Sequence, residues 1–233
     1  MNRHSRMHRA VRGVAALVMA TGVISGTVRG AEPPGLAAVR QVDSSTPKDI
    51  QMAIAQAAGP PVSAEATVYV LGPKGYEKAR EGTNGFTCLV ERPHPDNMAP
   101  TCYDAEGSAT TLKVLLYVEQ ERAAGTDEAR IKSAVAEGYK SGRFIAPRKP
   151  GIAYMLSDYN YLPDRDAKKA VHFPGHLMFY APYATAKNVG EGPGAPFLAL
   201  PGSPSNMMVV LPAAAHSNPA NWPPAASRQS AGQ

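Results

Sequence analysis

The chain has 233 residues, with 24 basic and 19 acidic side chains and a formal charge of +5. Five of the basic residues, Arg3, Arg6, Arg9, Arg12 and Arg29, lie in the first 30 positions, which hold no acid, so residues 31–233 balance at 19 against 19. A neutral remainder excludes a polycationic nucleic-acid binder, and 203 residues suffice for one domain with a real core without requiring two.

Residues 1–30 read as a cleavable signal peptide. A basic start precedes an apolar run from Val14 to Ile24, too short for the ~20 residues that span a bilayer. Val28-Arg29-Gly30 is an acceptable cleavage site before Ala31. Secretion or a periplasmic location is therefore expected, with no membrane insertion after cleavage. The two cysteines, Cys88 and Cys102, are expected to form a disulfide in that oxidising setting.

Residues 31–46 read as a linker, 47–211 as the globular domain and 212–233 as a disordered Pro/Ala-rich tail. Thr46-Pro47 predicts a helix start, with Ile50, Ile54 and Ala57 on one face and Gly59-Pro60-Pro61 as its end. The continuous apolar run Thr67–Leu71 predicts a strand buried on both faces. A Gly72–Gly75 turn leads to a weaker strand at Tyr76–Glu81. Asn84-Gly85 predicts a hairpin into a strand at Phe86–Glu91, which would complete an antiparallel meander. Pro93–Pro100 reads as a loop whose ends the disulfide would staple. Ser108 is expected to cap a helix to Ala124, and Gly125-Thr126 to separate it from a second helix carrying Ile131, Val135 and Gly138 on one face. Ile152–Ser157 and His176–Tyr180 predict the arms of a long hairpin, followed by short strands at Phe197–Leu200 and Met207–Leu211. These elements predict an α+β class, a mostly antiparallel sheet with a helical hairpin packed on one face, in a single domain.

No Walker loop, dinucleotide fingerprint, nucleophile elbow, H-E-x-x-H or C-x-x-C motif occurs, and no cofactor is expected. His172 and His176 have the i, i+4 spacing of a metal pair on a helix, but Pro174-Gly175 between them argues against a helix. In extended chain they would stand about 13 Å apart. Asp158, Asn160, Asp164 and Asp166 lack the spacing and central glycine of a calcium loop. Lys140, Arg143, Arg148 and Lys149 form a basic cluster that would suit an anionic envelope polymer. Residues 144–183 hold 8 of the 16 aromatics, five of them tyrosines. Tyrosine combines an apolar face with a polar tip, the chemistry of many small-ligand clefts. On this hairpin Tyr154, His176 and Tyr180 are expected to converge into a ligand site, with Asp158 orienting the imidazole and favouring its protonated form.

At Gly85-Phe86-Thr87-Cys88-Leu89-Val90-Glu91-Arg92, Cys102–Gly107, Tyr154–Tyr159 and His176–Tyr183 the chain resembles a family of exported bacterial proteins of unknown function. The resemblance runs over most of 47–211 and implies one exported domain without implying an activity. Separately, Gly175–Tyr180 is similar to the histidine strand of cell-wall cysteine peptidases. Such enzymes place their thiolate at a helix N-terminus, however, and Cys88 falls in a predicted strand. The expected function is non-enzymatic binding of an unidentified small ligand or cell-envelope component. The alternative is a secreted hydrolase that uses Cys88 or a His172/His176 metal site.

Overall fold

A computed structural model describes residues 41–60, 62–94, 97–164, 169–190 and 195–211; the expected leader 1–30 and tail 212–233 lie outside them. In chain order the elements are α1 (Lys48–Ile54), β1 (Thr67–Gly72), β2 (Gly75–Arg80), β3 (Thr87–Glu91), β4 (Ala99–Tyr103), α2 (Ala105–Ala109), α3 (Thr111–Ala123) and α4 (Glu128–Lys140), then β5 (Ile152–Met155), β6 (Tyr161–Asp164), β7 (Lys169–His172), β8 (His176–Tyr180), α5 (Ala186–Val189), β9 (Phe197–Leu198) and β10 (Met207–Val210). Eight strands form one sheet in the order β2-β1-β3-β4-β5-β8-β10-β9, and β6 and β7 make a separate hairpin. The class is α+β, as expected.

Polarity explains where each strand lies. β1 and β3 are almost wholly buried and occupy the interior of the sheet. β2 carries Glu77, Lys78 and Arg80 and serves as an edge, where charged side chains also block further pairing. The chain therefore passes from the edge to the far side of β1, and β3 pairs with β1 in parallel, Val68 opposite Cys88. Every other neighbour pair in this sheet is antiparallel. This corrects the expected meander. Gly85 does turn the chain with φ +79°, but β2 and β3 are not partners.

The strand β4 replaces the end of the expected loop. Pro100 within it lacks an N–H for a ladder. β5 pairs with β4 only at Cys102 and Tyr103, so Pro100 lies beyond that ladder and no bond is forfeited there. Cys88 and Cys102 stand opposite one another across β3 and β4 and are bonded, with sulfurs 2.00 Å apart.

Strand alternation sends side chains to two separate cores. Val68, Val70, Cys88, Val90 and Cys102 point to one face, where α1 contributes Ile54 and the chain before it contributes Val42. Val42 is fully buried, so packing begins ahead of the boundary expected at 47. Gln51 ties α1 to the sheet. Its side-chain amide donates to the Leu71 carbonyl at 3.0 Å and accepts from the Leu71 N–H at 2.7 Å. Leu89, Tyr103, Ala153, Met155, Met178, Met207 and Val209 point to the other face, beneath α3 and its neighbours.

The helical layer starts one turn earlier than expected. Asp104, not Ser108, caps it, accepting from the Gly107 N–H at 3.0 Å, and Thr110 breaks α2 from α3 with φ −123° and ψ −82°. The Ser108 hydroxyl instead donates to Thr87 Oγ1 and the Tyr103 carbonyl. Gly125 takes φ +80° between the helices, and Asp127, one residue after the expected Thr126, caps α4. Phe144 closes the far end, packed against Gly138, Tyr117 and Tyr139. Among the described residues no helix is long and apolar enough to cross a membrane.

Two stability outcomes follow from this packing. Reduction of the Cys88–Cys102 bond, which spans 14 positions, should lower unfolding free energy by about 2–5 kcal/mol, measured by denaturant titration with and without reductant. Gly107→Ala should destabilise despite alanine's better helix propensity, because the added Cβ collides with the Tyr180 hydroxyl and the Tyr103 ring. A loss of about 1–3 kcal/mol is expected, and a gain would show that those rings yield.

Candidate functional site

The two helices do not cover the second face evenly. α3 lies over β2 and the first strands. α4 rests mainly on α3, and the space between it and β5, β8 and β10 forms a cavity of about 730 Å³. That volume falls in the range of small-molecule sites. The roof is apolar, from Val114, Leu115 and Val118 of α3 and Ile131 and Val135 of α4. The floor comes from Met155, Met178, Met207 and Val209, with Phe173 and Phe197 at its sides. Methionine is unbranched and polarizable, so this floor adapts to different shapes. Exposed Lys132 and Leu200 stand on the rim.

One flank of the cavity is polar. Alternation along β3 puts Glu91 on the same face as Leu89, and it is 8% exposed. Burial pushes its carboxyl up from the usual range, against the opposing effect of hydrogen bonds from Tyr103 and Thr101. Burial, and next the neighbouring Glu91, hold the Tyr103 hydroxyl protonated well above its ordinary range. The Tyr76 hydroxyl donates to the Val90 carbonyl. At the end of the flank Glu119, 3% exposed, bridges Arg92 and Arg122 at 3.0 and 2.6 Å. Asn97 and Asn160, 7% and 1% exposed, are also in the wall, and each has a buried amide oxygen without a hydrogen-bond partner among the described residues. A buried unpaired acceptor costs about 1–3 kcal/mol.

Of the four residues expected to form a site, His176 alone lines this cavity. It is 1% exposed and directly opposite Met155. Its Nδ1 lies 2.9 Å from the Pro174 carbonyl, which can only accept, so Nδ1 carries the proton and Nε2 keeps its lone pair. The Phe173 ring packs edge-on at 4.4 Å. Burial lowers the imidazole pKa from 6.5 to about 4. This reverses the expected rise. Asp158 is exposed in the loop after β5, and the ring's polar contact is the Pro174 backbone instead.

The register separates the two tyrosines from His176. Tyr154 pairs with Leu177 and Cys102 and packs into the α1 core on the opposite face. Tyr180 shares the His176 face, but its hydroxyl is committed to Asp104 at 2.8 Å and to the Ile152 carbonyl at 3.2 Å, where it clamps the α2 cap. The aromatic-rich hairpin therefore divides between two cores and a capping contact rather than forming a single cleft.

Cys88, the sulfur expected to serve a hydrolase, is bonded to Cys102 in the disulfide. His172 is exposed and packs on Tyr161 at 5.7 Å, whereas His176 is buried under Phe173. Among the described residues no group of three or more His, Cys, Asp or Glu is placed to hold a metal ion. In the basic cluster the Arg143 guanidinium stacks on Tyr117 at 4.2 Å, and Arg148 borders a smaller groove of about 300 Å³ with Tyr139, Phe144 and Tyr183.

Sequence reasoning passed over Glu91, Asn97 and Glu119, and weighed Asn160 only as part of a calcium loop. Two of these had a visible signal. Glu91 continues the period-2 face of Thr87 and Leu89, and Glu119 continues the helical face of Leu112 and Leu115, so each is a charge at a buried position. Asn97 and Asn160 lie in irregular chain with no such pattern. Comparison with family models, curated proteins and solved structures finds no match, so the functional reading rests on this geometry.

The depressed His176 pKa makes stability pH-dependent in a defined direction. Between pH 6.5 and 4 the unfolded chain binds a proton that the folded ring refuses, so stability present above pH 6.5 is lost as pH falls. The shift corresponds to about 3 kcal/mol. His176→Gln should remove that part of the slope, so wild type and variant should diverge by about this amount in denaturant titrations at pH 7 and pH 4. Parallel curves would place a charged imidazole in the folded protein.

Proposed function

We propose that this chain is an exported binding protein that takes a small, largely apolar molecule into the cavity between α4 and the β5, β8 and β10 half of the sheet. The carrying observation is the cavity itself: about 730 Å³, apolar above and below, with a few buried polar groups on one flank. That combination is the usual form of a ligand site, in which apolar walls supply affinity and sparse polar groups orient the guest. The reading is non-enzymatic because the polar groups are dispersed along the wall and mostly engaged with one another. Export is supported by the acid-free basic leader, the disulfide and the resemblance to exported bacterial proteins.

A second reading, contact with an envelope component, draws on the smaller groove. Tyr183 stands 62% exposed there with φ +63°, beside Arg148. An aromatic held outward on a strained backbone next to a cation suits an anionic saccharide.

The cavity reading is tested by binding of the neutral fluorophore N-phenyl-1-naphthylamine to the full oxidised chain. Wild type should bind with enhanced emission. Val135→Trp, which fills the space from α4, should weaken binding about tenfold or more while leaving the melting temperature unchanged or raised. Equal binding by this variant would place the probe elsewhere, and no binding by wild type would overturn the reading.

A further inference from the structure

We infer that the cavity selects apolar molecules bearing a hydrogen-bond donor, an alcohol or amine, over apolar carboxylates; this rests on the binding role proposed above. The preference follows from which polar atoms in the wall are already engaged. The donors are. Tyr76 gives its hydroxyl proton to the Val90 carbonyl, and Tyr103 gives its own to Glu91. Arg92 is bonded to Glu119 and the Val42 carbonyl. Arg122 is bonded to Glu119, Glu128 and the carbonyls of Arg92 and Pro93. The His176 Nδ1 proton goes to Pro174.

The acceptors are in surplus. Asn160 Nδ2 faces the carbonyls of Met155 at 3.0 Å and Ser157 at 2.7 Å, so the amide cannot be flipped and its oxygen is the buried atom left without a partner among the described residues. The Asn97 oxygen is also buried without a partner among the described residues. His176 Nε2 is a second kind of acceptor, with its lone pair on a ring that burial keeps neutral. The carboxyl groups of Glu91 and Glu119 already accept from Tyr103 and from Arg92 and Arg122, so they add negative charge to the wall rather than free acceptors. A guest hydroxyl or ammonium that reaches one of these acceptors relieves an unpaired group. A guest carboxylate brings further acceptors and a negative charge beside buried acids, with the two nearby guanidinium groups already neutralised. An ammonium would in addition favour the ionised form of Glu91.

The test is competition against N-phenyl-1-naphthylamine on the full oxidised chain at pH 7, using decanol, decylamine and decanoate, which share one alkyl chain. Decanol and decylamine should displace the probe at concentrations about tenfold or more below that of decanoate. Glu91→Gln, which introduces a donor amide, should narrow the gap between decylamine and decanoate; should that variant not fold, the wild-type series decides alone. Decanoate competing as well as or better than the other two overturns the inference and leaves the cavity reading standing. Probe binding with no displacement by any of the three also overturns it. Failure of the probe itself to bind overturns both.

Discussion

The carboxylate of Glu119 is the point on which the helical layer depends. It is almost wholly buried on α3, and it joins Arg92 at the end of β3 to Arg122 one turn further along its own helix. Arg122 in turn holds Glu128 at the start of α4 and the carbonyls of Arg92 and Pro93. A single buried charge thus fixes sheet, first helix and second helix at one corner. Removing one member of such a group is strongly destabilising, by about 3–5 kcal/mol, because the remaining charges are left buried without partners. The arrangement sets the stance of α4. It is anchored at its N-terminus by Glu128 and at its far end by Phe144 against Gly138, and in between it spans the floor rather than settling onto it.

The opposite face of the sheet shows the contrast. There α1 is seated by the two hydrogen bonds of Gln51, and the disulfide joins β3 to β4 directly beneath it. Valine, alanine, isoleucine and leucine side chains make up most of that core, and Val42 extends it. The disulfide-bearing face and the open face share the same strands, since alternate residues of β3, β4 and β5 supply each. A change at Cys88 or Cys102 therefore acts on the cavity only through the backbone of β3 and β4, whereas a change at Leu89, Tyr103 or Met155 acts on it from the same side.

Much of the fold was legible because local chemistry and global packing agree. The Thr67–Leu71 run, the two helices around Gly125 and the His176–Tyr180 strand are strong patterns that tertiary structure had no reason to override. The failures have specific causes. Asn84-Gly85 makes its turn, but a turn signal does not say which strands pair, and the polarity of β2 assigns it to the edge. Pro93–Pro100 read as a loop, yet Pro100 belongs to β4, where it falls beyond the ladder to β5. The Ser108 cap lost to Asp104 because the Asp104 carboxylate also receives the Ile152 N–H at 2.9 Å and the Tyr180 hydroxyl, contacts distant in sequence.

The site was less legible than the fold, for a reason that goes beyond missing motifs. Tyrosine density marked the hairpin 144–183, but density along a chain does not say which face a side chain takes. The register sends Tyr154 and His176 to opposite sides. What distinguishes the cavity wall is the state of its atoms: which protons are already given away and which lone pairs remain. Tyr103 and Arg122 carry side chains of the kind that recognise ligands, and both are consumed internally. Asn160 looks like a loop residue, and its side chain is locked by two carbonyls so that its oxygen is left over. Residue identity is in the sequence, but hydrogen-bond occupancy exists only after folding. A surplus of buried acceptors is therefore a property of the folded wall, and it is that surplus, more than any residue type, that gives the cavity a chemical preference.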